Sequence, residues 1–339
     1  MTIGILTAGG DCPGLNAAIR GVVTRALADD VAVVGIEEGW QGLLERRAHP
    51  LDRDSVRGII SRGGTILGTS RMDPYVHGEG AASVARCLED NSIDTLVVIG
   101  GDGSLQTAAR LQAEGIAIVG IPKTIDNDVG GTDVSLGFHT AVQIVTDAID
   151  RLATTAEAHN RVMVVEVMGR TAGWIAAVAG LAGGAEAILV PEVEVDYFDL
   201  AARLTARHES GHDYSIVVVA EGVPTPGGEL LATGVDPYGF ERLGGVSYQV
   251  AAELERLTSY EARVMALGYL QRGGSPTAFD RVLGSRFGIK AAELAMTCHD
   301  GVMVALKGEL VVPVDLAEAC DEVRQLDLRR LEEAAWFFA

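Results

Sequence analysis

"TIGILTAGGDCPGLNAAIR", residues 2–20, is the stretch that decides the architecture. Thr2–Ala8 is a short run of apolar and small residues and reads as a buried strand. Gly9, Gly10 and Gly14 let the chain turn sharply, and Leu15 opens a run with helical apolar spacing. Strand, glycine turn, helix is the first half of a parallel βαβ unit. The amino end of such a helix aims N–H groups at the turn, which favours phosphate there. Neither a Gly-Lys-Ser/Thr sequence nor the G-x-G-x-x-G spacing is present, so two common nucleotide loops are excluded. For this stretch by itself, a tight turn without a ligand stays open as the plain alternative.

The alternation continues outward. "VAVVGI" (31–36), "TLVVIGG" (95–101), "IAIVGI" (116–121), "RVMVVEV" (161–167), "SIVVVAEG" (215–222) and "RVMALGYL" (263–270) read as further buried strands. "LQTAARLQAEG" (105–115), "HTAVQIVTDAIDRLATTAE" (139–157) and "SYQVAAELERL" (247–257) have helical spacing. The pattern predicts an α/β protein with parallel-rich sheets covered by helices, in which ligands sit at the carboxyl ends of the strands. "EGVPTPGGEL" (221–230) reads as an exposed turn, and the last twenty residues as an amphipathic helix.

The 339 residues are 48% hydrophobic and 22% charged, enough for one large or two medium domains. No apolar stretch is long enough to span a bilayer, and the N-terminus reads as a first strand rather than a signal peptide. Cys12, Cys87, Cys298 and Cys320 have neither pairing nor metal spacing, which fits a reducing, cytoplasmic setting. Cys12, inside the first glycine turn, reads as a small filler. The net charge of −20 argues against nucleic acid or an anionic membrane as partner. An anionic ligand then needs local cations, and with only three lysines these are mostly arginine, which grips phosphate bidentately.

Chemistry gathers at the predicted strand ends. After "TLVVIG" come Gly101, Asp102, Gly103 and Ser104, repeating the phosphate-loop logic with a carboxylate added. A carboxylate beside polyphosphate makes sense with Mg²⁺ between them, the alternative being an Asp that caps the next helix. "GIPKTIDNDVGG" (120–131) places Lys123, Thr124, Asp126, Asn127 and Asp128 within six positions. In extended geometry Asp126 and Asp128 point the same way, one to hold a metal and one to take a proton, while Lys123 and Thr124 reach phosphate oxygens. Asx turn chemistry is the competing reading. Arg71, Arg170, Arg263 and Arg272 each stand in or beside glycine-flanked strand ends, and Glu221 ends another strand.

Taken together, "GGDCPGLNAAIR", "GGTILGTSR", "GGDGS", "PKTIDND", "VMGRTAGW", "EG" and "LGYLQRGGSP" resemble the phosphofructokinase family, in family order and over nearly the whole chain. The resemblance implies two three-layer α/β domains with the active site between them, residues 1–138 plus 252–301 binding the donor and 139–251 plus 302–339 binding the sugar phosphate. It implies transfer of a terminal phosphoryl group to the 1-hydroxyl of fructose 6-phosphate, Asp126 taking the proton. Asp102 would hold Mg²⁺, with Asp128 nearby. Gly10, Arg71, Met72, Gly101, Gly103 and Ser104 would line the donor, with Lys123, Thr124 and Arg170 near the transferring group. Met168, Gly169, Glu221, Tyr269 and Arg272 would hold the sugar phosphate. Arg161 and Arg263 match arginines that the family lends across a subunit interface, in a homo-oligomer that is typically a tetramer.

The resemblance divides between ATP and pyrophosphate as donor. Gly103 stands where pyrophosphate users usually have Asp, leaving room for an ATP α-phosphate, whereas Lys123 resembles pyrophosphate users. The open space at Gly103 carries more weight, so ATP is expected, with pyrophosphate, or another acceptor such as sedoheptulose 7-phosphate, as the alternative. Met72, Val76 and Thr107 depart from residues used around adenine. Arg20, Arg53 and Glu186 match the family's effector pocket, but Thr24, Ala153, Ser210, His212 and Tyr214 stand where basic residues are expected, so control by anionic effectors is expected to be weak. NAD kinases and lipid kinases share "GGDG" but not "PKTIDND" or "QRGGSP".

Overall fold

In chain order the strands are β1 (Thr2–Ala8), β2 (Ala32–Ile36), β3 (Ala48–Leu51), β4 (Thr95–Gly100), β5 (Ile118–Thr124), β6 (Leu136–Gly137) and β7 (Val162–Val167). There follow β8 (Ala187–Leu189), β9 (Ser215–Ala220), β10 (Ala232–Val235), β11 (Glu241–Leu243), β12 (Ala262–Ala266), β13 (Val302–Lys307) and β14 (Leu310–Asp315). The computed structural model describes residues 1–239 and 241–336, which divide into two units. The first is Met1–Thr140 with Arg272–Arg324; the second is Ala141–Gln271 with the segment from Gln325.

The first unit is built on one sheet of order β14-β13-β5-β4-β1-β2-β3, with β6 beside the end of β5. It is parallel except where β3 meets β2 and β14 meets β13. The central strands are buried along almost their whole length and mostly apolar, as strands of a parallel sheet covered on both faces are. Register sets the site: Ala8 lies opposite Gly100, and Gly100 opposite Pro122. The chain therefore leaves β1, β4 and β5 at one edge, with Gly9, Gly101 and Lys123 next to one another in the sheet order.

The helix after the first turn, Leu15–Ala26, packs along Ala278–Met296 at backbone contact. A methyl group at Gly21 would lie 2.6 Å from the Ser285 carbonyl oxygen, and one at Gly288 would overlap the Ala18 carbonyl. Asp280, fully buried, accepts from the Gly137 amide (3.0 Å), the Thr140 amide (2.7 Å) and the Thr140 hydroxyl (2.5 Å). These bonds answer the burial of its carboxylate, which by desolvation alone is pushed above the ordinary range.

The second unit holds a parallel sheet of order β12-β7-β9-β8 and a separate antiparallel pair, β10 and β11. Val162 lies opposite both Ala262 and Ser215, so β7, β12 and β9 begin together, β9 matching β7 to its end and β12 stopping one residue short.

Several boundaries differ from those that the resemblance and the residue spacing imply. Residues 252–271 belong to the second unit, because β12 pairs with β7. Residues 302–324 belong to the first, because β13 pairs with β5 and β14. Strand pairing of this kind leaves no local signal in the sequence. β5 runs on to Thr124, and the run 263–270 is a strand only to Ala266, followed by a 3-10 helix, Gly268–Arg272. The last twenty residues do not form one helix. Leu316–Cys320 and Arg329–Ala335 are short helices, and between them Leu326 is buried with its amide on Glu192 (3.1 Å). Residues 337–339 lie outside the described residues. Among those described, no helix is long and apolar enough to cross a membrane.

The close helix pair gives a stability prediction. Gly288→Ala forces two backbones apart and is expected to lower the unfolding free energy by about 3 kcal/mol, read as a drop in the denaturation midpoint.

Candidate active site

The first loop is held from every side. Gly9, at φ +84°, donates its amide to the Ser70 carbonyl (2.8 Å). The Thr69 hydroxyl donates to the Gly9 carbonyl (2.7 Å), and Arg272 Nη1 to the Asp11 carbonyl (3.2 Å). The remaining two carbonyls share one donor: Lys123 Nζ reaches the Ala8 oxygen at 3.0 Å and also the Gly10 oxygen. Lys123 is 2% exposed. Burial, opposed by Cys12, Asp11 and Asp126 and reinforced by Arg272, lowers its pKa from the ordinary 10.5 to about 8. The sequence puts this side chain on phosphate oxygens; here its partners are backbone carbonyls beneath the loop. Cys12 gives its thiol to the Leu136 carbonyl (3.2 Å), and burial pushes the thiol up to about 12, as suits a filler.

At the second loop Gly101 occupies the helix N-cap with no side-chain cap bond, and Asp102 is the first helical residue. The capping alternative for Asp102 is thereby replaced: its two oxygens accept from Gln106 Nε2 one turn on, at 3.0 Å each. Gly103 is exposed, and a methyl group there would meet nothing within 4 Å. Ser104 faces Gly9, its hydroxyl 3.1 Å from where a Gly9 side chain would begin. Arg71 is exposed and Met72 half-buried, directly after the Thr69–Ser70 pair that grips the first loop.

The third loop contradicts the extended reading of "DND". β5 ends at Thr124, and Asn127 sits at φ +56°, in the left-handed region. Asp126 and Asp128 therefore do not alternate as strand neighbours. Asn127 tolerates this conformation because its side chain closes a local network. Its Oδ1 accepts from the Ser135 amide (2.9 Å), and the Ser135 hydroxyl donates to the Thr124 carbonyl (2.8 Å). From the C-terminal segment of this unit, the Arg324 amide donates to the Asp128 carbonyl (2.8 Å) and its Nη1 to that of Asn127 (3.3 Å). Asp126 is 4% exposed, with Oδ2 on the Thr124 hydroxyl (3.1 Å). Its Oδ1 is buried and has no hydrogen-bond partner among the described residues.

In the second unit, Met168, Gly169 and Arg170 follow β7, and Glu221 follows β9. The Met168 amide donates to Gln271 Oε1 (3.2 Å), and the Arg170 amide to Glu221 Oε1 (3.1 Å). Arg170, at φ +51°, passes so close to Gly222 that any side chain there would overlap its carbonyl. Arg161 and Arg263 stand at the opposite, amino ends of β7 and β12. Both bind Glu261, Arg161 at 2.6 Å. Tyr269 is 72% exposed. Arg272, expected with these residues, belongs to the first unit and to its first loop. Glu186 accepts from the Ile216 amide (2.5 Å) and from Arg207 (2.8 Å), so its carboxylate is satisfied within the unit.

Residues 2–295 match the family model described as phosphofructokinase. The chain belongs to that family. A pyrophosphate–fructose 6-phosphate 1-phosphotransferase of Amycolatopsis methanolica is 50% identical over the whole of both chains. An ATP-dependent 6-phosphofructokinase of Corynebacterium efficiens is 48% identical over all of this chain and 99% of its own. A crystal structure of Pichia pastoris phosphofructokinase superposes with TM-score 0.84 at 30% identity, over 99% of this chain. This chain spans about a third of that one, 36% of its length.

What the motifs did not reveal are the residues that support the loops. Thr69 and Ser70 lie inside a quoted motif, where a hydroxyl pair beside glycines was a usable signal. Ser135 and Arg324 gave none, being reached only through the fold.

The Lys123 shift makes a prediction about stability. The fold binds fewer protons than the unfolded chain between about 8 and 10.5, so the contribution of Lys123 rises with pH through that window and is lost below it. Denaturant titrations should show the wild-type chain gaining on the order of 2 kcal/mol over Lys123→Met between roughly pH 8 and 10.

Proposed function

We propose that the protein is a 6-phosphofructokinase that moves the terminal phosphoryl group of ATP to the 1-hydroxyl of fructose 6-phosphate, giving fructose 1,6-bisphosphate. The observation that carries this is the carboxylate of Asp126. One oxygen is fixed by Thr124, while the other is buried without a donor. A buried acceptor of that kind is costly until a donor arrives, and a sugar hydroxyl is such a donor. Asp126 then takes the hydroxyl proton as the oxygen attacks, and Thr124 keeps the carboxylate oriented. Arg170, at the strand end beside Glu221, stabilises charge on the transferring group.

The first unit serves the donor through Gly10, Arg71, Met72, Gly101, Asp102, Gly103 and Ser104. Its described residues contain no cluster of three or more His, Cys, Asp or Glu side chains able to hold a metal by themselves. That donor set fits Mg²⁺, which is commonly held by one or two carboxylates together with substrate phosphates and water. Asp102 would hold the ion, and when bound it neutralises charge on the donor phosphates. Met168, Gly169, Arg170 and Glu221 of the second unit serve the sugar phosphate.

Named relatives at 50% and 48% identity differ in donor, so overall similarity does not choose between them. The open position beside Gly103 favours ATP, and Lys123 no longer weighs for pyrophosphate once its ammonium is committed to carbonyls. With Mg²⁺ and fructose 6-phosphate, turnover is expected with ATP and not with pyrophosphate, and Asp126→Asn should lower kcat by roughly a thousandfold. Turnover with pyrophosphate alone would reverse the donor assignment.

Arg161 and Arg263 support a shared site. They stand at the amino ends of the paired strands β7 and β12, whereas Met168 and Arg170 follow the carboxyl end of β7, whose six residues span about 20 Å. One phosphate cannot reach both ends of that sheet, so the two arginines serve the sugar phosphate of another copy in a homo-oligomer. Arg161→Ala should raise the KM for fructose 6-phosphate by roughly tenfold. At fructose 6-phosphate well below that raised KM, mixing it with Asp126→Asn subunits should give more activity than the two variants sum to; purely additive activity would overturn the shared site.

A further inference from the structure

We propose that Lys123 is a positioning residue for the donor loop, serving ATP and pyrophosphate alike, and does not select between them. This rests on the phosphoryl-transfer reading above and adds a role for a residue that reading leaves unused.

The argument starts from four consecutive carbonyls. Those of Ala8, Gly9, Gly10 and Asp11 are each held by a side-chain donor: Lys123, Thr69, Lys123 again, and Arg272. The described chain has no cis peptide bonds. In a trans peptide the carbonyl of one residue and the N–H of the next point in opposite directions. Holding the Gly10 carbonyl on Lys123 therefore turns the Asp11 amide away from Lys123, and holding the Asp11 carbonyl on Arg272 turns the Cys12 amide away from Arg272. Amides turned away from these internal cations, with a helix N-terminus just beyond at Leu15, are donors left for an anion.

The space under the loop is filled. A side chain at Gly9 would begin 3.5 Å from Lys123 Nζ, and one at Gly10 would begin 2.8 Å from Arg272 Nη1. For Lys123 to reach out to a ligand it would have to release both carbonyls and leave a buried site. Its charge still acts on the ligand, but through the loop, and any phosphate seated there feels it whatever else the donor carries.

The test is direct binding of Mg-ATP and of Mg-pyrophosphate by calorimetry to the wild-type chain, Lys123→Met and Lys123→Gln, together with steady-state kinetics. Lys123→Met is expected to weaken both anions by roughly tenfold or more and to raise the KM for ATP correspondingly, with kcat at saturating ATP held within about threefold. Lys123→Gln, which keeps N–H donors without the charge, should recover part of the loss for both. Loss confined to pyrophosphate, no loss for either anion, or no binding of either by the wild-type chain would overturn the proposal. Should Lys123→Met not fold, judged by circular dichroism, the ratio of the two losses in Lys123→Gln decides. A wild-type chain that binds both anions yet fails to phosphorylate fructose 6-phosphate refutes the proposed function and leaves this inference to the binding data.

Discussion

A turn that must present amides to an anion has to put its carbonyls somewhere. In the first unit they point inward, and an inward carbonyl without a donor costs as much as a lost hydrogen bond. The buried ammonium of Lys123 meets that requirement for two carbonyls at once, and the bonds it makes offset its desolvation only in part, since its pKa stays below the ordinary value. Its anchor is the end of β5, held in register with β4 and through it with β1. The sheet thus fixes the base of the lysine, and the lysine fixes the loop. In a chain of net charge −20, few surfaces attract phosphate, and this edge combines a helix N-terminus with two cations set behind the backbone.

The same edge shows why Asp126 and Asp128 cannot be treated as equivalent. An extended strand would give them one direction and one environment. The left-handed Asn127 breaks that symmetry, at an expense of order 1 kcal/mol that its bonds with Ser135 offset. Asp126 is consequently turned back onto Thr124 with one oxygen held and one left over. Asp128 is tied through its carbonyl to the Arg324 amide. What sets Asp126 apart is the bond of one carboxylate oxygen to Thr124, which would orient the other for the proton transfer proposed above.

Much of this was legible in the sequence, for definite reasons. β1, β4, β5, β7 and β9 are buried, so they read as largely apolar runs, and the glycines after β1 and β4 mark where the chain turns. What was not legible depends on partners distant in the sequence. Lys123 reads as a ligand because nothing local reveals the carbonyls of residues 8 and 10, more than a hundred positions earlier. β13 and β14 look like any short amphipathic pair until β5 is seen beside them. Arg272 sits in a motif with sugar-phosphate expectations, yet its guanidinium lies on the Asp11 carbonyl because the 3-10 helix after β12 turns it there.

At the amino end of β7 the electrostatic logic differs from that at the donor loop. Arg161 and Arg263 share the single carboxylate of Glu261, and all three side chains are substantially exposed. Exposed pairs of this kind contribute about 0–1 kcal/mol, because water and salt screen them. At the proposed shared site a phosphate dianion, with more charge and three acceptor oxygens, would displace Glu261 at little expense and find two guanidinium groups already gathered. Lys123 has no such freedom: its carbonyl partners are internal and its site is closed to water. Burial separates the two sets of cations: the arginine pair can exchange its carboxylate partner, and the buried ammonium cannot leave its carbonyls.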